Sequence, residues 1–515
     1  MASLKEYRDE RLKKLEALKK LGVNPYPAHT EVAQYSGHNH LAEDIKKNYQ
    51  ANAGKETVVA GRIVSLRPHG KIAFITVREQ WETVQLFLQE DKLKGANYQN
   101  SELNFENLNL LDLGDIIEAK GILAKSRTDE ITIEVSQLRL LTKSLRPMPS
   151  LQDGFTNKEE RLRRRYIDIN VNQDVYERFI RRSKFWQAHR DFLNKHGFIE
   201  INTPVLEHTT GGADANPFVT HMDALGQDFY LRISQELPLK RLLGGGYNKV
   251  YDIGPRFRNE NYSDEHLPEH TAMEWYWAYA DAEDGKKFIV DLFRYVYQQV
   301  YGTLQFKIRG FEVDLAKDWY EIDYEQVIRE QYDLDVFTCT LDKVKAKLAE
   351  HKLEVEKSEN VARGIDKLWK KYRATVAGPA FLVNMPVHLK PLAKIDSKNP
   401  KIVEHFHPVM AGSELGNGYS ELNDPIDQLN RFMEQQNMRD AGDKEAQMLD
   451  IDYVEMLEYG MPPACGYGHS ERNFWFFEDV TAREGVPFPQ LRTEIDEVTK
   501  AIYPQIFSRK HPKSK

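Results

Sequence analysis

Five short runs rich in β-branched and aromatic residues fall within residues 57–142: "TVVAGRIVSL", "IAFITVR", "TVQLFLQ", "DIIEAKGIL" and "ITIEVSQLRLL". Glycine and aspartate turns separate them, so they read as successive strands rather than helices. Five such strands suit a small barrel, with the oligonucleotide-binding (OB) fold a leading candidate. On the second and third strands Phe74, Arg78 and Gln85 fall where such a barrel offers a base a stacking ring, a cation and an amide. A core phenylalanine beside two surface polar residues would give the same pattern.

One barrel cannot account for 515 residues, and two or three domains are expected. A hydrophobic share of 41% with 29% charged residues fits a soluble chain with a sizeable core. The formal net charge of -8 excludes a uniformly basic nucleic-acid coat, so any such contact must come from local patches. Cys339 and Cys465 lack metal-ligand spacing and suit a reducing compartment. With no long apolar run and a charged N-terminal stretch, a cytoplasmic location without membrane attachment is expected.

The barrel is expected over 56–143, after a lead-in over 1–55 that opens with an exposed helix at 3–21. That helix carries a thin stripe of Leu4, Leu12, Leu15 and Leu18 and stops at "GVNPYP". Its basic residues suit either a solvated face or contact with phosphates. A basic linker over 144–170 leads to a mixed α+β domain over 171–515, with a polar helical insertion near 335–380.

The stretch "VYDIGPRFRNENYSDEHLPEHTAMEWYWAYAD" (250–281) carries the most chemistry. A strand ends in Arg256-Phe257-Arg258-Asn259-Glu260, a polar loop follows, and a second strand bears Glu274 and Tyr276. An arginine on a rigid strand suits a carboxylate or phosphate, because its fork meets oxyanions at two points. Glu274 and Tyr276 are two residues apart, share a strand face, and together suit a cation. A surface hairpin with ion pairs is the plainer reading.

These residues resemble motif 2 of the class II aminoacyl-tRNA synthetases, and "HGFIEINTPVL" resembles motif 1, with Pro204 at a dimer interface. "TTGGADANPF", "RISQELPLKRL" and "SELGNGYSELNDPIDQ" are similar to the lysyl branch in particular, and the likeness runs from about residue 20 to 492. The resemblance implies an α+β chain: an N-terminal OB-fold β-barrel plus a class II catalytic domain built on an antiparallel β-sheet flanked by helices. It implies ATP-dependent activation of L-lysine and transfer to tRNA(Lys), with Mg2+ and a homodimer. For lysine it implies Glu274, Tyr276 and Glu421 around the ε-amino group, and Glu236 and the Gly212 backbone at the α-amino group. Arg258 and Asn417 fall to the carboxylate, and Tyr419 to the methylenes. A buried ammonium needs carboxylate partners, which agrees with lysine over aspartate or asparagine. For ATP it implies Arg258 on the α-phosphate, Glu260 on the adenine amino group, His270 stacked on adenine and Arg472 on the γ-phosphate, with His266 also among the ATP-binding residues. Arg258 and Arg472 are thus the catalytic candidates. Glu414 and Glu421 are implied for magnesium, with His407 standing at a third, usually acidic, position. Phe74, Arg78, Gln85 and Gln137 are implied for the anticodon.

Several positions depart from the family pattern. Glu265 replaces a second motif 2 arginine, His270 a phenylalanine and Gln137 a base-reading glutamate. His388 and Lys390 stand for an acid and a serine. Motif 3 reads "GYGHSER": Gly466 and Gly468 survive, His469, Ser470 and Glu471 precede Arg472, and "NFWFF" is expected as a buried helix or strand. An active lysyl enzyme with altered ATP contacts is one reading. A weakened paralogue that binds lysine or RNA, or a synthetase for another amino acid, is the alternative.

Overall fold

The computed structural model describes residues 3–33, 42–93, 95–149, 155–260, 262–356, 360–442 and 445–507. The chain divides into two compact units, residues 1–173 with 491–515, and residues 174–490.

In the first unit the five expected strands, Glu56–His69, Ile72–Glu79, Glu82–Gln89, Ile116–Lys125 and Ile131–Thr142, close into a barrel. Closure comes from a parallel pairing of Glu82–Gln89 with Ile131–Thr142, while the other pairings are antiparallel. Alternate side chains such as Val59, Ile63, Ile75, Leu86, Ile117 and Leu138 fill the interior. The helix Leu4–Lys20 begins with a Ser3/Glu6 capping box and is less exposed than its sequence suggests. Its Arg11 is buried and donates to the carbonyl oxygens of Leu113, Ser144 and Arg146. The basic segment before residue 170 is largely neutralised internally, since Arg161 and Arg165 lie 2.8 and 2.5 Å from buried Asp168. The C-terminal stretch, assigned from sequence to the second domain, folds with the first unit. Arg164 reaches Asp496 at 2.6 Å, and the Arg8 guanidinium lies 5.5 Å over the Tyr503 ring.

The second unit is built on one large mixed sheet. Its order is Tyr320–Asp323, Ala380–Val383, His405–Met410, Asn417–Ser420, Ala464–Ser470, Glu269–Ala278, Lys249–Phe257 and Ile199–Glu200. The interior pairings are antiparallel and the two outermost are parallel. Strand alternation divides the sheet into a core face and a site face. Met273 and Trp275 point to the core, against Ile289, Leu292 and Phe293 of the helix Ala282–Tyr301. Glu274 and Tyr276 point the other way, toward the helix Glu236–Gly244. The insertion forms helices Leu341–Glu350 and Val361–Arg373, which pack with Tyr324–Tyr332 in a separate hydrophobic cluster.

Candidate active site

On the site face a cavity of about 310 Å³ opens between the Glu236–Gly244 helix and five adjacent strands. Three carboxylates meet at its floor. Glu274 accepts from Ser234 Oγ at 2.7 Å, from Arg256 at 2.6 Å and from the Tyr276 hydroxyl at 2.9 Å. Glu236 accepts from the Tyr419 hydroxyl at 2.6 Å and from Lys240 at 3.1 Å. Glu421 Oε2 lies 2.5 Å from Lys240 Nζ, while its Oε1 is buried with no hydrogen-bond donor among the described residues.

Lys240 and Arg256 are resident cations that the sequence reading did not single out. Lys240 is fully buried, and although burial opposes its charge, Glu421, Tyr453 and Glu236 together raise its pKa well above the usual value. Three carboxylates against two cations leave one unmatched negative charge at the floor. In the free protein a proton serves that need. Burial, opposed by Lys240 and reinforced by Glu236 and Glu274, lifts the Glu421 carboxyl to about 8, and burial raises Glu236 as well.

Close approach at this floor accounts for the glycines. A Cβ at Gly466 would lie 2.2 Å from Glu421 Oε1 and 2.3 Å from the Tyr276 ring, and one at Gly468 would lie 2.8 Å from Glu274 Cγ. The strand Ala464–Ser470 therefore runs directly beneath two of the carboxylates. Gly212 has φ +81°, and a Cβ there would meet Glu236 Cβ at 2.7 Å. Its N–H donates to Gln447 Oε1 at 3.2 Å, which places another unanticipated residue in the cavity wall.

Arg258 lines the same cavity. Its Nε is buried without a hydrogen-bond partner among the described residues, and burial beside Arg256 pulls its pKa down to about 10, so it stays charged at neutral pH. Arg258 also borders a second cavity of about 150 Å³, lined by Glu260, Glu265, His266, His270, Ser470 and Arg472 among others. Burial drops His270 to about 3, which makes it a neutral ring whose Nδ1–H donates to the Leu267 carbonyl at 3.3 Å. Arg472 lies 2.5 Å from Glu265, the residue that departs most in charge from the family pattern.

Protein cations stand beside both carboxylates that resemblance implies for magnesium. Glu421 faces Lys240, and Glu414 Oε1 accepts from the Trp369 indole at 2.6 Å and lies 3.0 Å from Arg373, both in the insertion. His407 Nδ1 is 3.8 Å from Glu414 Oε2, but burial drops His407 to about 3 and leaves it neutral. Against the upward push of burial, His407, Arg373 and the Trp369 indole hold the Glu414 carboxyl at about 2, and with His407 neutral at pH 7 Arg373 is its charged partner there. Among the described residues no three acidic, histidine or cysteine side chains group together, and Glu421 and Glu414 already face Lys240 and Arg373, so any magnesium here would need phosphate oxygens to complete its shell. Asn417 Oδ1 accepts from His405 at 2.8 Å and from Lys390 at 3.3 Å, which brings a further ammonium to the cavity wall.

Past Ser470 the backbone turns into the helix Arg472–Phe477, so "NFWFF" is a buried helix. His469 points away from both cavities, among the rings of Phe185, Trp186 and His189. Glu471 is structural: it lies 2.5 Å from Arg182 and accepts from the Thr271 N–H at 3.0 Å.

On the barrel, Phe74, Thr76 and Arg78 share the outer face of one strand, with Phe87 and Gln85 opposite Phe74 and Thr76. The half-buried Phe74 and Phe87 rings lie 5.2 Å apart, a two-ring platform of which sequence reading found half. Arg78 is committed to Asn170, 2.6 Å from its carbonyl, and to the Trp81 ring at 4.7 Å. Gln85 bonds Glu130 at 2.7 Å and Thr132 at 3.0 Å, and Gln137 donates to Glu102 at 2.6 Å.

Residues 157–492 match the family described as tRNA synthetases class II (D, K and N), and residues 57–141 match the OB-fold nucleic acid binding domain. Similar curated proteins include the lysine–tRNA ligase of Fervidobacterium nodosum, 41% identical over 501 residues, with 96% of this chain and 95% of that protein covered. Lysine–tRNA ligases of Thermotoga maritima and Carboxydothermus hydrogenoformans are 38% and 39% identical, covering 97% and 94% of this chain and 99% and 97% of theirs.

Proposed function

The chain belongs to the lysine–tRNA ligase family of class II tRNA synthetases, and on that premise we propose how its residues carry out the family's two-step reaction. It is a ligase that uses ATP. Its amino-acid pocket has a floor short of one positive charge and is also lined by Arg258, whose buried Nε has no hydrogen-bond partner among the described residues. A lysine side chain supplies that charge, and its carboxylate matches Arg258. This complementarity is the observation that carries the reading.

In the bound complex the ε-ammonium lies against Glu421 Oε1, Glu274 and the Tyr276 hydroxyl, and displaces the proton held on the carboxylate cluster. Tyr419 packs along the methylenes, and Glu236 with the Gly212 backbone takes the α-amino group. The lysine carboxylate oxygen attacks the α-phosphorus of ATP, the bond to the bridging oxygen breaks, and pyrophosphate leaves. A ribose hydroxyl at the end of tRNA(Lys) then attacks the lysyl carbonyl and releases AMP. No side chain becomes a nucleophile; Arg258 neutralises charge at phosphorus and orients the two reactants. Neutral His270 offers adenine a flat face, and Glu260 and His266 border the same cavity.

Magnesium enters this reading only as the counter-ion that ATP brings with it, and no step is assigned to it. The barrel is the anticodon reader in this reading, with Phe74 and Phe87 stacking bases and Gln85 and Gln137 at their edges. A homodimer through the motif 1 region agrees with two exposed apolar residues flanking Pro204: Ile199 on the edge strand of the large sheet, and Leu206 on an end strand of a separate three-stranded sheet. A cytoplasmic place of work goes with the reading, and among the described residues no helix is long and apolar enough to cross a membrane. Lysine-dependent ATP–pyrophosphate exchange, followed by charging of tRNA(Lys), is the test. Absence of exchange with any amino acid would overturn the reading.

A further inference from the structure

Arg309 lies far in sequence from every residue assigned above, yet its side chain reaches Glu265, which lines the second cavity. It sits in the two-residue turn between strands Gln305–Ile308 and Phe311–Asp314, with φ +50°, and Gly310 follows at φ +86°. Two positive φ values in a two-residue hairpin make a turn that favours asparagine or glycine, so an arginine there is unfavourable for the backbone alone. Its side chain is held by three contacts. The guanidinium donates to Ser413 Oγ at 3.1 Å, lies 5.4 Å over the Phe476 ring, and sits 2.8 Å from Glu265 Oε1. The other oxygen of Glu265 faces Arg472 at 2.5 Å. One carboxylate therefore rests between two guanidinium groups at the wall of a cavity that Arg258 also lines.

A single carboxylate balances only one of these arginines. A terminal phosphate carries roughly two negative charges and offers oxygens to two forks at once, so it matches the pair better than Glu265 does. We propose that Arg309 and Arg472 form a two-guanidinium clamp for the outer phosphates of ATP, and that Glu265 is a resident carboxylate which the nucleotide displaces. The clamp holds pyrophosphate as it leaves, while Arg258 stays with the α-phosphate. Arg309 is thereby a binding residue for the polyphosphate, and Glu265 sets how strongly ATP must compete for the site. The proposal rests on the reading of the adjoining cavity as the ATP site.

The test is steady-state exchange with purified full-length protein. Arg309→Asn removes the charge and keeps a residue suited to the turn; Arg309→Lys is the conservative partner. The clamp predicts that Arg309→Asn raises the KM for ATP about tenfold or more, with partial recovery in Arg309→Lys. The KM for lysine and inhibition by AMP, which lacks the outer phosphates, stay within twofold of the parent. Glu265→Gln lowers the KM for ATP. An unchanged KM for ATP in Arg309→Asn, or an equal loss of AMP binding, overturns the clamp while leaving the ATP site in place. A KM for ATP that stays level or rises in Glu265→Gln overturns the role given to that carboxylate. Loss of the underlying reading is separately visible, as absence of lysine-dependent exchange in the parent.

Discussion

Lys240 shows how one side chain can define what its neighbours do. It sits four residues after Glu236 on one helix face, a spacing visible in "QELPLKRLL", but its second partner Glu421 is remote in sequence. The site acids and Arg258 could be named from pattern and family likeness, whereas Lys240, Arg256 and Arg309 could not, because their partners are set by tertiary packing. The charge shortfall they leave has a measurable pH dependence. The Glu421 carboxyl, at about 8 in the folded chain, binds a proton at pH 7 that it lacks when unfolded, where its pKa is about 4.3. Its contribution to stability is therefore present at low pH and falls as pH rises from about 4.3 through about 8. Lysine binding runs the opposite way, since the arriving ammonium requires the ionised form. The KM for lysine is expected to fall as pH rises from about 7 to about 9, and calorimetry at pH 7 in buffers of different ionisation heat should show about one proton released per lysine. Binding without proton release would refute this assignment.

At the level of elements, the strand Ala464–Ser470 and the helix Arg472–Phe477 divide the labour of the "GYGHSER" segment. The strand passes under Glu421, Glu274 and Tyr276, and the helix carries Arg472 to the second cavity. Gly466→Ala drives a methyl into Tyr276 and Glu421. We expect the KM for lysine to rise at least about tenfold, with a stability loss of about 1–3 kcal/mol in thermal unfolding; an unchanged KM would show that the floor can give way. The five barrel strands were legible because alternation and turns are local signals. "NFWFF" was not, because a segment buried all round has no periodicity by which helix and strand can be told apart. The insertion read as polar helices, but its link to Glu414 through Trp369 and Arg373 spans more than forty residues and leaves no local trace.

For the whole molecule, the division into two units puts the barrel that matches an OB-fold nucleic acid binding domain in one and the carboxylate-floored cavity in the other. Phe74→Ala and Phe87→Ala are each expected to weaken tRNA(Lys) binding by about 1–3 kcal/mol in filter binding, without altering lysine-dependent exchange. Equal binding by the parent and both variants would reduce the two rings to packing. The domain plan from sequence followed the order of segments along the chain, and no local pattern shows that residues 491–507 return to the first unit. That return bears on biosynthesis. A ribosome finishes the barrel early, then adds about 350 residues before Asp496 and Tyr503 are made and can meet Arg164 and Arg8. At about 5–20 residues per second, the early-made unit waits tens of seconds for its last piece. During translation, the catalytic unit is the first of the two to have its full complement of chain.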